Sequence, residues 1–590
     1  MAALTCGPII TAQQAMPMNG GHDMAKMDMA PVPPPEQLPV PIRMSGIGNS
    51  HLRIKASPEA QVWFDQGLNL LHDFWDYESA KAFEQAVRVD PQCAMCWWGL
   101  AQAEGFRESE QQPYGVRALK EAVRLEGHAS GPEKLYIEAA RAESEAKDDD
   151  KSGEIAILRK LVKKQPHDLQ ARIFLASAVG DGFDDAGEPK AGQKERIAIL
   201  EEVLSEAPND SAANHYWIHA MEPGNHPEQA LKSAALLASL APTSGHMVHM
   251  PGHIYYRVGN YAEAERWFTA SMEADERYMQ EQHVDRDDDW NYVHNMMYAI
   301  ANLMEQGKLE QANTVSDRLA AARGQLSATL YIWSARDQMA RLSRRLPVAL
   351  RVGDWGAVLT MLGQVTLAQE DKTANLRFLA SELTEYARGM KALESNDVKA
   401  AKEASDRMDA GLWRLNHDLA DSTKASLKKK SDDKKDEPVM VPILPDADSG
   451  PLVKCLSIQS LELRAGVLVE QGKLEVGKKL YAAAAQDEKK LGYHEPPYYI
   501  RPVGETEAAE LIKAKDYAGA KAAYEAALQE RPNSGFGLYG LALVKELSGD
   551  SAGAREGYQA FLRAWPAADA GLPGVAHARK ALSTDAVAQR

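Results

Sequence analysis

The chain has 590 residues, of which 45% are hydrophobic and 26% charged, and its formal net charge is −17. That length exceeds what one core usually serves, so several domains or an open-ended repeat array are expected. The acidic balance argues against nucleic acid and anionic lipid as partners and mildly favours cations.

There is no apolar run of the roughly eighteen residues that a membrane-spanning helix needs. The four cysteines, Cys6, Cys93, Cys96 and Cys455, are too few for a disulfide scaffold. Residues 1–12 are apolar from Ala2 to Ile10 and end in small residues. They read as the remnant of a secretory signal peptide without its basic start, which implies a periplasmic or secreted protein. An ordinary N-terminus on a cytoplasmic protein is the alternative. Residues 13–57 read as a flexible, disordered leader. Its first half holds Met16, Met18, His22, Met24, Met27 and Met29, and thioethers beside an imidazole are soft donors that suit Cu(I). Its Pro-rich half is a semi-rigid spacer.

From Pro58 onward the pattern is helical, Ala-rich and punctuated by short turn signals. Segments such as FWDYESAKAFEQAVRVDP, NHPEQALKSAALLASLAP and KDYAGAKAAYEAALQERP share one template: a turn, an Ala-rich helix and a terminal proline. Pro208 and Pro242 are 34 residues apart, as are Pro532 and Pro566. This period and pattern resemble the tetratricopeptide repeat, a helix–turn–helix unit. The resemblance implies an all-α, right-handed α-solenoid, with a main array over 58–420 and further repeats over 451–590. The charged, Pro-containing stretch 421–450 between them reads as a flexible insertion. CAMCWWGLA together with HMPGHIYYRVG also resembles a group of bacterial tetratricopeptide proteins, which implies a family and no chemistry.

Three histidines fall within eight positions in HMVHMPGHIYYRVGNY. The repeat resemblance implies that positions 2, 5, 9 and 12 of each unit face a concave groove. A unit starting at Ser211 places His215, His219 and Glu222 at positions 5, 9 and 12. The unit starting at Gly245 places His246, His249, His253 and Tyr256 at positions 2, 5, 9 and 12. In the unit after that, His294 falls at position 2. Each of the first two helices thus carries a His pair spaced i, i+4 on one face. Neighbouring helices lie roughly 8–10 Å apart, so imidazoles from both can converge on one ion, or two, at metal–nitrogen distances of about 2.0–2.1 Å. Glu222 either ligates the ion or orients a histidine through its second nitrogen. The nitrogen-rich set points to copper, with zinc as the alternative, and away from calcium or magnesium.

Other residues carry weaker signals. Cys93-Ala-Met-Cys96 fits a disulfide, a Cu(I) site shared with Met95, or two small apolar residues packed between helices. His226 reads as a turn residue, and Asp285–Asp289 as acidic complements to a helix N-terminus. Cys455, Trp413 and the other tryptophans read as core, and the aromatics of YHEPPYY as packed on a helix end or as a lid. Phosphate-loop, nucleophile-elbow and HExxH motifs are absent. The composite expectation is an exported solenoid that binds or handles copper. The alternatives are a copper-dependent oxidase or oxygenase with Tyr256 or Tyr298 beside an open position, and a protein–protein scaffold whose groove takes a peptide.

Overall fold

The computed structural model describes residues 39–104, 114–147, 150–286, 289–322, 335–367, 374–432 and 449–588. The Met/His cluster of the leader and most of the charged stretch after Asp432 lie outside them. The described residues are α-helical with no strand; one isolated bridge joins Phe183 and Pro189. Among the described residues the chain is all-α, with helices packed mostly on their neighbours in sequence, and it divides into two compact units. One runs to Val258 and takes in Arg266–Val284; the other holds Gly259–Glu265 and the chain from Asp285 on.

In the first unit the helices follow as α1 (Pro58–His72), α2 (Asp76–Val89), α3 (Ala94–Glu104), α4 (Tyr114–Arg124), α5 (Gly131–Ser144) and α6 (Ser152–Lys164). Next come α7 (Leu169–Val179), α8 (Ala191–Glu206), α9 (Ser211–Met221), α10 (Leu231–Leu240), α11 (Gly245–Arg257) and α12 (Tyr261–Gln282). Their starts are written in the sequence. Ser57 caps α1 ahead of a proline in its first turn, and Ser130 makes a capping box with Glu133. Asp168, Asp210 and Ser244 accept backbone N–H groups at the starts of α7, α9 and α11. Each cap satisfies a donor the helix leaves open, worth about 1 kcal/mol. The starts of α9 and α11 coincide with the repeat register read from the sequence.

Small residues let adjacent helices close on one another. A Cβ at Gly99 would stand 2.3 Å from the Phe83 ring, and one at Gly67 would stand 2.8 Å from it. Phe83 is therefore clamped between α1 and α3, in contact with Phe64. Burying such a ring contributes roughly 1.5–3 kcal/mol.

The flexible leader expected to reach residue 57 ends sooner. Residues 46–50 are hydrogen-bonded onto two helices and a turn: Thr243 N–H donates to the Gly46 carbonyl, Ser211 N–H to Asn49 Oδ1, and Asn69 Nδ2 to the Ser50 carbonyl. The boundary between the units falls near Gly259 and Asp285, inside the expected main array. The first turn of α12 goes with the second unit because Asn302 and Gln306 donate to the Tyr261 carbonyl and Lys308 pairs with Glu265.

The second unit's core runs from Met339 to Val503 through Leu383, Met408 and Leu456, with Cys455 buried as expected. The helix Val398–Asp432 continues into the stretch expected as an insertion. Its buried stripe is Ala401, Ala404, Met408 and Leu412. Trp413 lies one residue, about 100°, past that stripe, so it is 59% exposed rather than core.

Candidate metal centre

Helix α9 reads SAANHYWIHAM and α11 reads GHMVHMPGHIYYR; both are buried nearly throughout. His215, His219, His246, His249 and His253 are all at most 4% exposed. The structure brings three of them to one point. His215 Nε2 lies 3.1 Å from His219 Nε2 and 3.2 Å from His246 Nε2. The three offer one ligand nitrogen each within 4.8 Å of one another.

The hydrogen bonds behind the rings assign the tautomer of His215. Its Nδ1 is 2.7 Å from the His72 backbone carbonyl, so Nδ1 carries the proton and Nε2 presents its lone pair. One lone pair accepts one good hydrogen bond, yet two imidazole nitrogens converge on it. A shared cation satisfies all three at once. Tetrahedral ligands about 2.0 Å from a metal stand about 3.3 Å apart, close to the separations observed.

Burial fixes the charge state. Desolvation pushes His215 down to about 3, the His72 carbonyl opposing it, and drives His219 well below the usual range with help from neighbouring His215. Nitrogens held neutral at physiological pH are ligands rather than cations.

A second group adjoins the first. His253 Nδ1 donates to Glu222 Oε1 at 2.7 Å, and its Nε2 is in close contact with His249 Nε2. The other Glu222 oxygen is 4.0 Å from His219 Nδ1. Glu222 thus holds His253 from behind. Arg257 donates to the backbone carbonyls of Glu222 and Gly224, which fixes the end of α9. Phe268 packs on His249 and His253 with ring centroids 5.2 and 6.4 Å away. It reaches them because residue 252 is glycine, where a Cβ would stand 2.4 Å from the Phe268 ring.

Residues with no histidine signature complete the wall. Phe74 sits at φ 58°, in the left-handed region that an aromatic residue rarely occupies. That conformation lays its ring over the triad, with centroids 4.7 Å from His215, 5.4 Å from His219 and 5.6 Å from His246. His72 Nε2 donates to Gln170 Oε1 (2.6 Å), and its Nδ1 faces the Tyr216 hydroxyl (3.4 Å). Sequence reading missed Phe74, His72, Gln170 and Phe268 because none falls at a groove position of a histidine-bearing repeat.

His294 belongs to the second unit, where its Nε2 is 3.6 Å from a Glu495 oxygen. Cys93 and Cys96 form a disulfide, so neither offers a thiolate, and the Cu(I) site with Met95 does not exist in this state. Met95 is buried in the core between helices. His226 is exposed in its turn and pairs with Glu228.

No known sequence family matches the chain, and no curated protein matches it in sequence. Among solved structures it is similar to the human IFIT1 dimer with m7Gppp-AAAA, at 13% identity over 80% of this chain and 89% of that one, with a TM-score of 0.32. Yeast Tom70 is similar at 13% identity over 89% of this chain and 96% of that one, with a TM-score of 0.27. The APC/C hetero-tetramer Cut9–Hcn1 follows at 11% identity over 79% and 98%, with a TM-score of 0.22.

Proposed function

We propose that the first unit binds one transition-metal ion through Nε2 of His215, His219 and His246, and that the protein serves in metal binding or handling. The observation that carries this is the meeting of three buried imidazole nitrogens at 3.1 and 3.2 Å. Copper is the first candidate and zinc the second, since both accept an all-nitrogen set. The Met-rich leader favours copper. The Cys93–Cys96 disulfide supports an oxidising location, periplasmic or secreted.

One observation favours a second reading. The His249 ring lies 5.9 Å from His246, so a further nitrogen pair adjoins the triad. Such a pair suits a two-metal redox enzyme of the copper oxidase or oxygenase class. Oxygen consumption by the loaded protein, absent from the metal-free protein, would separate an enzyme from a carrier.

The direct test is elemental analysis of the full chain, exported in medium containing copper and zinc, beside His215→Ala/His246→Ala. Stoichiometric metal in the first and none in the second is expected, with equal helical circular dichroism. Background metal in both would remove this reading and leave a helical scaffold with a polar groove.

A further inference from the structure

Arg196 on α8 is 2% exposed, and its Nε and Nη2 are buried without a hydrogen-bond partner. No carboxylate among the described residues lies within ion-pair distance of it. An unpaired buried charge costs several kcal/mol, so a fold that keeps one keeps it for a partner that arrives later or for the field it exerts.

Its surroundings are built rather than accidental. Gln193, one turn earlier on α8, donates through Nε2 to the Ala220 carbonyl at 2.7 Å, immediately after His219. The face of α8 that carries Gln193 and Arg196 is therefore applied to the histidine helix α9. On the other side, Gly180 ends α7, and a Cβ there would stand 3.0 Å from Arg196 Cδ and 3.3 Å from Nη1. Glycine at this position leaves room for the arginine side chain to pack closely against the end of α7. One turn before Gly180, the buried Ser177 hydroxyl also has no hydrogen-bond partner. It shares a face of α7 with Gln170 and Phe174, which touch His72. A cation and a hydroxyl donor thus stand unsatisfied on facing helices, beside the second layer of the histidine cluster.

We propose that Arg196 anchors a small oxyanion of carboxylate size in a buried site between α7, α8 and α9, with the Ser177 hydroxyl as a second donor. The guanidinium fork matches two oxygens of one anion. The histidines place no negative charge there, and burial drives the Asp73 carboxyl well above the usual range, which disfavours its charged form. Desolvation likewise lowers Arg196 to about 10, with Tyr216 opposing, as fits a cation lacking its counter-ion. The site does not require the metal. If the triad is loaded, the same anchor would hold the carboxylate of a ligand next to it.

The test is titration calorimetry on the full chain, metal-free and metal-loaded, with sodium acetate and separately with inorganic phosphate, at ionic strength held constant with chloride. One saturable site per chain is expected in the metal-free protein, and which anion saturates it identifies the ligand class. Arg196→Met is expected to abolish binding and, without anion, to unfold at a higher temperature than the wild type. Arg196→Lys keeps the charge and loses the fork, so its affinity is expected to drop by about tenfold; it reads the same site should the Met variant not fold. Absence of saturable binding by either anion in both metal states overturns the proposal, whatever the metal analysis shows. So does binding that survives unchanged in both variants.

Discussion

The most deeply buried arginine of each unit, Arg196 in the first and Arg351 in the second, is treated in the opposite way to the other. In the second unit Arg351 spends its donors fully. Nε and Nη2 each reach Glu305 at 2.9 Å, and Nη1 and Nη2 reach Glu505 at 2.7 and 2.9 Å. Ser534 donates to Glu305 at 2.6 Å, and the guanidinium lies 4.0 Å from the centre of the Phe536 ring. Burial works against the charge there, but the two carboxylates outweigh it and move Arg351 upward. In the first unit Arg196 has neither carboxylate nor hydrogen bond, and burial moves it down. A buried charge whose donors are all satisfied by its own chain is a brace. One whose donors are left open belongs to a site.

The comparison breaks first at the brace. Arg351→Met removes one cation and strands Glu305 and Glu505 in the interior, so it is expected to cost about 3–5 kcal/mol, read as a lower urea midpoint. Little loss would mean that the carboxylates escape to water or take up protons freely. The opposite sign is expected of Arg196→Met, and the pair of melts measures the contrast directly.

The histidine cluster gives the next largest effect. Glu222→Gln removes the carboxylate that holds His253 Nδ1 while leaving the triad nitrogens in place. On the two-metal reading, in which His253 is a ligand that Glu222 orients, metal affinity falls about 10–100-fold, measured by competition with a chromogenic chelator. Complete loss of metal would make Glu222 a ligand, and no change would confine the site to the triad.

A smaller effect is carried by pH in the metal-free protein. His72 is lowered from 6.5 to about 4, by burial, with Gln170 opposing. The unfolded chain takes up this proton below pH 6.5 and the folded chain does not until about pH 4. Its contribution is therefore complete above pH 6.5 and is lost as pH falls toward 4, at about 1.4 kcal/mol per pH unit for one group. His72→Asn is expected to flatten the dependence of the urea midpoint on pH by that one proton. An unchanged slope would mean that His72 titrates in the folded state as it does in the unfolded one.

The sequence made the repeat period and the inward histidines legible for one reason: both are periodic. Prolines 34 residues apart give the period, and an i, i+4 His pair shares a helix face wherever that helix packs. His215, His219 and His246 meet as the repeat register required. What the sequence hid is aperiodic. Phe74 covers the triad only because its backbone adopts φ 58°, and nothing in FWDY announces a left-handed phenylalanine. The CxxC spacing allowed a disulfide, a soft-metal pair or plain packing, and only the folded geometry chose the disulfide. Arg196 carries no signal in the sequence, since an absent partner has no spelling. The unit boundary near Gly259 has no sequence signal, because the hydrogen bonds at Tyr261 and Glu265 join residues more than forty positions apart.

Phe74 is the finest probe of how the cluster differs from the Arg351 brace. Its ring adds no ligand and no charge; what it adds is the exclusion of water above three imidazoles. Phe74→Leu keeps an apolar side chain of similar bulk, so stability is expected to fall by only about 1 kcal/mol. The left-handed backbone strain remains in both proteins and cancels from the comparison. The rate at which a chelator strips metal should nevertheless rise, because leucine leaves gaps where the flat ring sealed the triad. Faster stripping at nearly unchanged stability assigns Phe74 to the site. An unchanged rate alongside a large stability loss would make it ordinary core packing, and the strain at φ 58° would then serve the turn between α1 and α2 alone.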